Sequence, residues 1–154
     1  SSLDDYMAWS KVADISEQQL LEKLHEYPNL ILWIAGHRHF NTITPQVSPD
    51  PDYPELGFWE VETSSLRDFP QQFRTFDIVR NSDNTISIFA TDVDPAVKEG
   101  TIAAQSRSYG VAAMEIFNNT LPYSPSASYN AELVTQLSPD MQEKIQNYGT
   151  PVTP

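Results

Sequence analysis

Gly36-His37-Arg38-His39 is the part of this sequence best equipped to do chemistry. A neutral imidazole is a good ligand for zinc, iron, nickel or manganese, and two imidazoles two residues apart on one turn can hold a single metal together or serve two neighbouring metals. Two histidines cannot complete a site, so other donors have to join them. The plain alternative is that His37 and His39 are polar residues opening a loop, since short motifs match by chance. Position brings the metal reading level with the plain one. The chain has three histidines, and two of them follow directly on its most apolar run, Leu30 to Ala35. The carboxyl ends of strands are where open α/β sheets bind ligands. Gly36 is expected to supply the left-handed turn at the strand exit, a conformation that glycine enters cheaply.

The elements that must position this turn are legible on both sides of it. Ser16-Glu17-Gln18-Gln19 has the form of a capping box, and Leu20, Leu21 and Leu24 continue it as a helical stripe that Tyr27-Pro28 stops. Leu30 to Ala35 is too short for a buried helix and reads as a strand buried on both faces. From Asn41 to Leu56 four prolines predict an exposed loop without regular structure. Phe58 to Thr63, Phe73 to Arg80 and Thr85 to Val93 alternate as strands, and Asn81-Ser82-Asp83-Asn84 is composed as the turn of a hairpin joining the last two. A helix is expected over Ile102 to Phe117, with Ile102, Tyr109, Ala112, Ala113 and Ile116 on its apolar face. Residues 119–130 lose periodicity, and a last helix is signalled by Ser138 as cap, Pro139 in the first turn, Met141, Ile145 and Tyr148 on one stripe, and Gly149 as stop.

Composition narrows the function classes. A chain of 154 residues makes one ordinary domain, and 40% hydrophobic residues suffice for a core. Twenty-one acidic against 9 basic side chains give a formal charge of −12, which opposes nucleic acid and anionic lipid, and no basic cluster offsets it. No run approaches the roughly eighteen apolar residues of a membrane span, and the first ten residues lack the pattern of a targeting leader, so a soluble chain is expected. Without cysteine there is no disulfide, thiolate nucleophile or thiolate metal site, and the compartment stays open.

The weaker candidates have plain readings. His25 is expected to face solvent from the first helix, and Asp50 and Asp52 to be solvated in the proline loop. Arg67 and Asp68 can pair to fix the connection after Thr63, and Asn118-Asn119-Thr120 matches a glycosylation sequon of low specificity. Trp33, Trp59, Phe73 and Phe76 are better explained as sheet core than as a ligand platform.

Asn29 to His39, an apolar strand running into Gly-His-x-His, resembles the last metal-binding motif of the calcineurin-like metallophosphoesterases. Gly57 to Phe73 is similar to a signature of one bacterial branch of that family. The resemblance spans about residues 15–117. It implies the C-terminal half of a four-layer α/β/β/α sandwich: one mainly β-sheet with flanking helices over residues 1–118, then an extended C-terminal arm with a short helix over 119–154. It further implies two divalent metals, with His37 on one and His39 on the other, and a bridging hydroxide that hydrolyses a phosphate mono- or diester. Arg38 and Asn41 are then the candidates to meet the substrate or to steady the metal ligands. The family's upstream motifs, Asp-x-His, Gly-Asp and Gly-Asn-His, do not occur, so the missing N-terminal half is an expected partner and the isolated chain is expected to be inactive. The other function class left open is a binding or assembly module that keeps the fold without a complete metal site. An apolar strand that lacks its neighbours is expected to drive self-association.

Overall fold

A computed structural model of the chain describes residues 15–118 and 128–149. The sequon lies outside the described side chains. The described residues form a mixed α/β unit with three helices and two three-stranded sheets. In chain order these are α1 (Glu17–Leu24), β1 (Leu32–Ala35), β2 (Thr42–Gln46), a single 3-10 turn (Pro54–Leu56), β3 (Phe58–Glu62), β4 (Phe73–Arg80), β5 (Thr85–Val93), α2 (Ile102–Asn118), β6 (Asn130–Gln136) and α3 (Pro139–Ile145).

Local chemistry starts and stops these elements much as the sequence leads one to expect. The Ser16 hydroxyl accepts from the Gln19 N–H at 3.2 Å, and the Gln19 side chain accepts from the Ser16 N–H at 2.7 Å, which closes the capping box. Ser138 caps α3 by accepting from the Met141 N–H at 3.3 Å, and Gly149, at φ +62, turns the chain after it. The hairpin runs over the expected residues, with Asn84 at φ +67 in its turn.

The first sheet has the order β1-β3-β2, β1 parallel and β2 antiparallel to β3; in the second, β4, β5 and β6 are antiparallel with β5 central. The sheets face each other across one core. Val61 of β3 meets Ile86, Ile88 and Ala90 of β5 and Leu133 of β6, with Leu32, Ile43, Trp59 and Phe76 packed around them. Burying a side chain such as Ile88 or Leu133 stabilises the fold by roughly 1.5–3 kcal/mol. The Trp59 indole donates to the Val134 carbonyl at 3.1 Å and so stitches the first sheet to the second.

The structure corrects several expectations. There are two small sheets, not one. Among the described strands β1 is an edge, with Ile34 57% exposed; the strand buried on both faces is β3, the central strand of its sheet, with Phe58, Glu60 and Glu62 buried on one face and Val61 on the other. The proline-rich stretch contains β2, which tolerates Pro45 because an edge strand needs hydrogen bonds on one side only. Gly57 lets the 3-10 turn close on the end of β2, where an added Cβ would lie 3.1 Å from the Gln46 carbonyl oxygen and the Ser48 nitrogen. Within the expected arm, residues 130–136 form β6 along the full length of a hydrogen-bonded register with β5. The expected apolar face of α2 points outward, with Ile102 86% exposed; the helix instead turns Arg107 and Gly110 to the connection that contains Phe69 and Gln71. His25 is half-buried, its Nδ1–H donating to the Leu56 carbonyl at 2.8 Å while its ring lies 5.2 Å from that of Phe58.

Candidate functional site

The chain leaves β1 at Gly36 and makes two left-handed steps in four residues, but not at the glycine. His37 stands at φ +92 and His39 at φ +62. A left-handed backbone costs a non-glycine residue on the order of 1–3 kcal/mol, and it persists only where the surroundings over-determine it. Here two groups of contacts do so.

The first is centred on Glu62, the last residue of β3, which is fully buried. Arg38 donates to it through Nε at 3.1 Å and through Nη2 at 2.6 Å, while the Arg38 backbone N–H lies 3.4 Å from the same carboxylate. Such a two-pronged pair fixes orientation as well as distance. It draws Arg38 beneath the turn and neutralises the charge that stands between the two histidines. Arg38 therefore serves the turn from within, and Glu62 is a residue that the sequence reading missed. Its signal was an acid on the face of β3 opposite Val61.

The second is centred on Asn41, which is 1% exposed. Its amide donates to Gln72 at 2.9 Å and to Asp92 at 2.8 Å, and its carbonyl oxygen accepts from the Ser64 N–H at 3.1 Å. Gln72 passes the connection on by donating to Asp94 at 3.0 Å. Asn41 thus ties the far end of the turn to both sheets at once. Beneath it Asp92 lies opposite Arg74 in the β4–β5 register. Burial pushes the Asp92 carboxyl above its ordinary value, with Arg74 opposing, and burial pushes the Arg74 guanidinium down. Asp92 Oδ1 and Arg74 Nε and Nη1 have no hydrogen-bond partner among the described residues, although Arg74 Nη2 donates to the Ser128 carbonyl at 2.6 Å.

The histidines themselves sit at the surface. His37 is exposed, and His39 is half-buried on the wall of a cleft of about 260 Å3 that it shares with Phe69, Gln72, Asp94, Arg107 and Tyr129. Asp68 turns to His39, with 3.6 Å between carboxylate and Nδ1, rather than to Arg67. Asp50 lies in a solvated loop as expected, its carboxylate accepting from the Asp52 N–H at 3.0 Å.

As donors the two imidazoles fit a metal centre: they are accessible, their backbone is fixed, and the intervening cation is turned away and paired. Among the described residues no three His, Asp or Glu side chains form a ligand cluster. No helix among the described residues is long and apolar enough to cross a membrane. Comparison of the chain with protein-family models, with curated proteins and with solved structures yields no match.

Proposed function

We propose that the chain is the C-terminal portion of a binuclear metal-dependent phosphoesterase of the calcineurin-like kind, a hydrolase of phosphate mono- or diesters. The observation that carries this reading is the backbone at Gly-His-x-His: both histidines are held left-handed by contacts that reach into each sheet. Strain kept at two imidazoles and supported by two buried networks is easier to explain by a site than by a loop. The pair of facing sheets supports the larger architecture, the C-terminal half of a four-layer α/β/β/α sandwich.

In this reading His37 binds one divalent metal and His39 the other, and the remaining ligands come from the N-terminal half. When bound, the metals would supply a hydroxide nucleophile at neutral pH and neutralise charge on the phosphoryl oxygens. The chain's own part is orientation. Arg38 and Glu62 set the angle at which the turn leaves β1, and Asn41 stops it from sliding across Ser64 and Gln72. Exposed apolar groups such as Ile34 and Ile102 support self-association of the isolated chain. A monodisperse monomer in sedimentation would count against that.

The test is metal content and turnover in the longer protein that this reading requires. His37→Ala and His39→Ala should each lower bound manganese, iron, nickel or zinc and reduce hydrolysis of bis-p-nitrophenyl phosphate or p-nitrophenyl phosphate. The loss should be at least the roughly hundredfold that removing a mere supporting contact can cost. Unchanged metal content and rate in both variants would overturn the reading.

A further inference from the structure

The cleft beside His39 contains a cation that the fold does not use up. Of the 9 basic side chains, Arg38 is locked on Glu62, Arg74 is buried opposite Asp92, Arg80 donates to the Ile145 and Gly149 carbonyls, Lys23 and Lys144 pair along their own helices with Glu26 and Asp140, Arg67 and Lys98 are exposed and do not line the cleft, and Lys11 lies outside the described residues. Arg107 is different. It projects from the middle of α2, donates one hydrogen bond to the Pro70 carbonyl, and stacks with its Cζ 5.2 Å from the centre of the Phe69 ring. Its contact with Asp94 is loose, at 3.6 Å, and that carboxylate is 64% exposed. Beyond the bond to Pro70 and the 3.6 Å approach of Nη2 to Asp94, its guanidinium makes no further hydrogen bond to a described residue. A guanidinium whose plane is fixed by an aromatic face while its edge stays open is prepared for a tetrahedral oxyanion.

We infer that Arg107 is the anion contact of a subsite in this cleft, binding the phosphoryl group of a small phosphoester whose organic part lies against Phe69 and Tyr129. The inference rests on the phosphoesterase reading for the identity of the substrate, though not for the existence of an anion site. Three features support it. Arg107 and His39 share one cleft, so an anion on the first lies beside the second. At about 260 Å3 the cleft is near the small end for ligand sites, which suits a compact ester and excludes a long polymer segment within it. The two side chains are also joined through the interior: Asp94, which faces Arg107, accepts from Gln72, Gln72 accepts from Asn41, and Asn41 is two residues from His39. The anion contact and the proposed metal ligand are thereby held in one frame.

Asp94 competes with such an anion, and this gives a test that a purely structural Arg107 would not pass. Inorganic phosphate is titrated into the metal-free protein and followed by calorimetry or by amide shifts of residues lining the cleft. Arg107→Ala should weaken phosphate binding at least about tenfold, and Arg107→Lys, which keeps charge but loses the fork, by about threefold. Asp94→Asn keeps the oxygen that accepts from Gln72 but removes the competing charge, and should tighten phosphate binding about threefold. Phosphate affinity that ignores both Arg107→Lys and Asp94→Asn would overturn the inference, even where Arg107→Ala disturbs α2. In the longer protein Arg107→Lys should raise KM more than it lowers kcat. Phosphate binding that follows this pattern in a protein that hydrolyses no phosphoester would keep the anion site and refute the phosphoesterase. Hydrolysis whose KM ignores Arg107 would do the reverse.

Discussion

Along β4 and β5 the chain pairs through a four-residue turn with residues 6 to 20 positions away, and its inward side chains meet other hydrocarbons. From Gly36 to Asn41 it is joined to residues 24, 31 and 51 positions away, through carboxylates, amides and a guanidinium. The two regions lie in the same small unit but are stabilised in different ways. Apolar contact is non-directional and tolerates small shifts, so the hairpin supplies stability without demanding exact geometry. Hydrogen-bonded ions are directional and penalise any loss of a partner, so the turn supplies geometry at little net gain in stability. Changes in the first region should therefore be felt in the unfolding free energy, and changes in the second in the site.

The largest effect expected is in the apolar region. Ile88 is fully buried at the middle of β5, and Ile88→Ala should destabilise the protein by about 3 kcal/mol in urea unfolding. Folded Ile88→Ala protein should still bind a metal or phosphate as before. A cost under about 1 kcal/mol would mean that the two sheets do not share this core. Next is Glu62→Gln. Removing one partner of a buried ion pair commonly costs 3–5 kcal/mol, but Arg38 keeps some solvent contact, and about 2 kcal/mol is expected. Here the site should suffer as well, because the turn loses the contact that draws Arg38 inward. Adding Arg38→Met should recover part of the stability but none of the metal affinity. Recovery of both would show that the turn does not need the pair.

The same division governs what could be read without the structure. The hairpin was legible to the residue because Asn81 to Asn84 and the alternation on either side are local signals, and the caps at Ser16 and Ser138 are local too. β2 was hidden by Pro45, since a proline argues against a strand unless the strand is known to be an edge, and that knowledge is tertiary. β6 was hidden by the change of composition just before it, although Leu133 proves central to the core. At the site, His37, Arg38 and His39 were visible by type and spacing, and Asn41 entered with the family resemblance. Glu62, Gln72, Asp92 and Arg107 were not, because each reaches the turn through folding alone. The left-handed residues were misassigned to Gly36: the sequence offers the residue that adopts φ > 0 cheaply, and the fold imposes φ > 0 on its neighbours.

A third expectation concerns the link between the two regions, Asp92, which extends from the hairpin to Asn41. Burial raises its pKa above the ordinary 3.8, with Asn41 and Arg74 acting against the rise. The native state then holds that proton more tightly than the unfolded chain does. The stability contributed by this group is full below its unfolded value and is lost as pH rises through the folded one. Urea unfolding followed from pH 3 upward should show that decline, superimposed on the opposite trend from Asp83, whose carboxyl is held low by the Thr85 hydroxyl and backbone N–H. In Asp92→Asn the decline should vanish. If it survives unchanged, Asp92 is not the group that couples hairpin to turn.

The smallest effect expected is the one that bears most directly on strain. His39 has φ +62 and among the described residues its imidazole makes only the 3.6 Å approach to Asp68, so it gives the fold little. His39→Ala keeps a Cβ in the left-handed conformation, whereas His39→Gly removes it. In an ordinary extended or helical position glycine is the worse of the two by about 0.5–1 kcal/mol, because it frees the unfolded chain. At a strained left-handed position the order should invert, with the glycine variant more stable than the alanine variant by about 1 kcal/mol. Both should lose metal equally, since both lose the same imidazole. An alanine variant as stable as the glycine one would mean that the turn is not strained. The over-determined backbone, on which the distinction between hairpin and site depends, would then have to be given up.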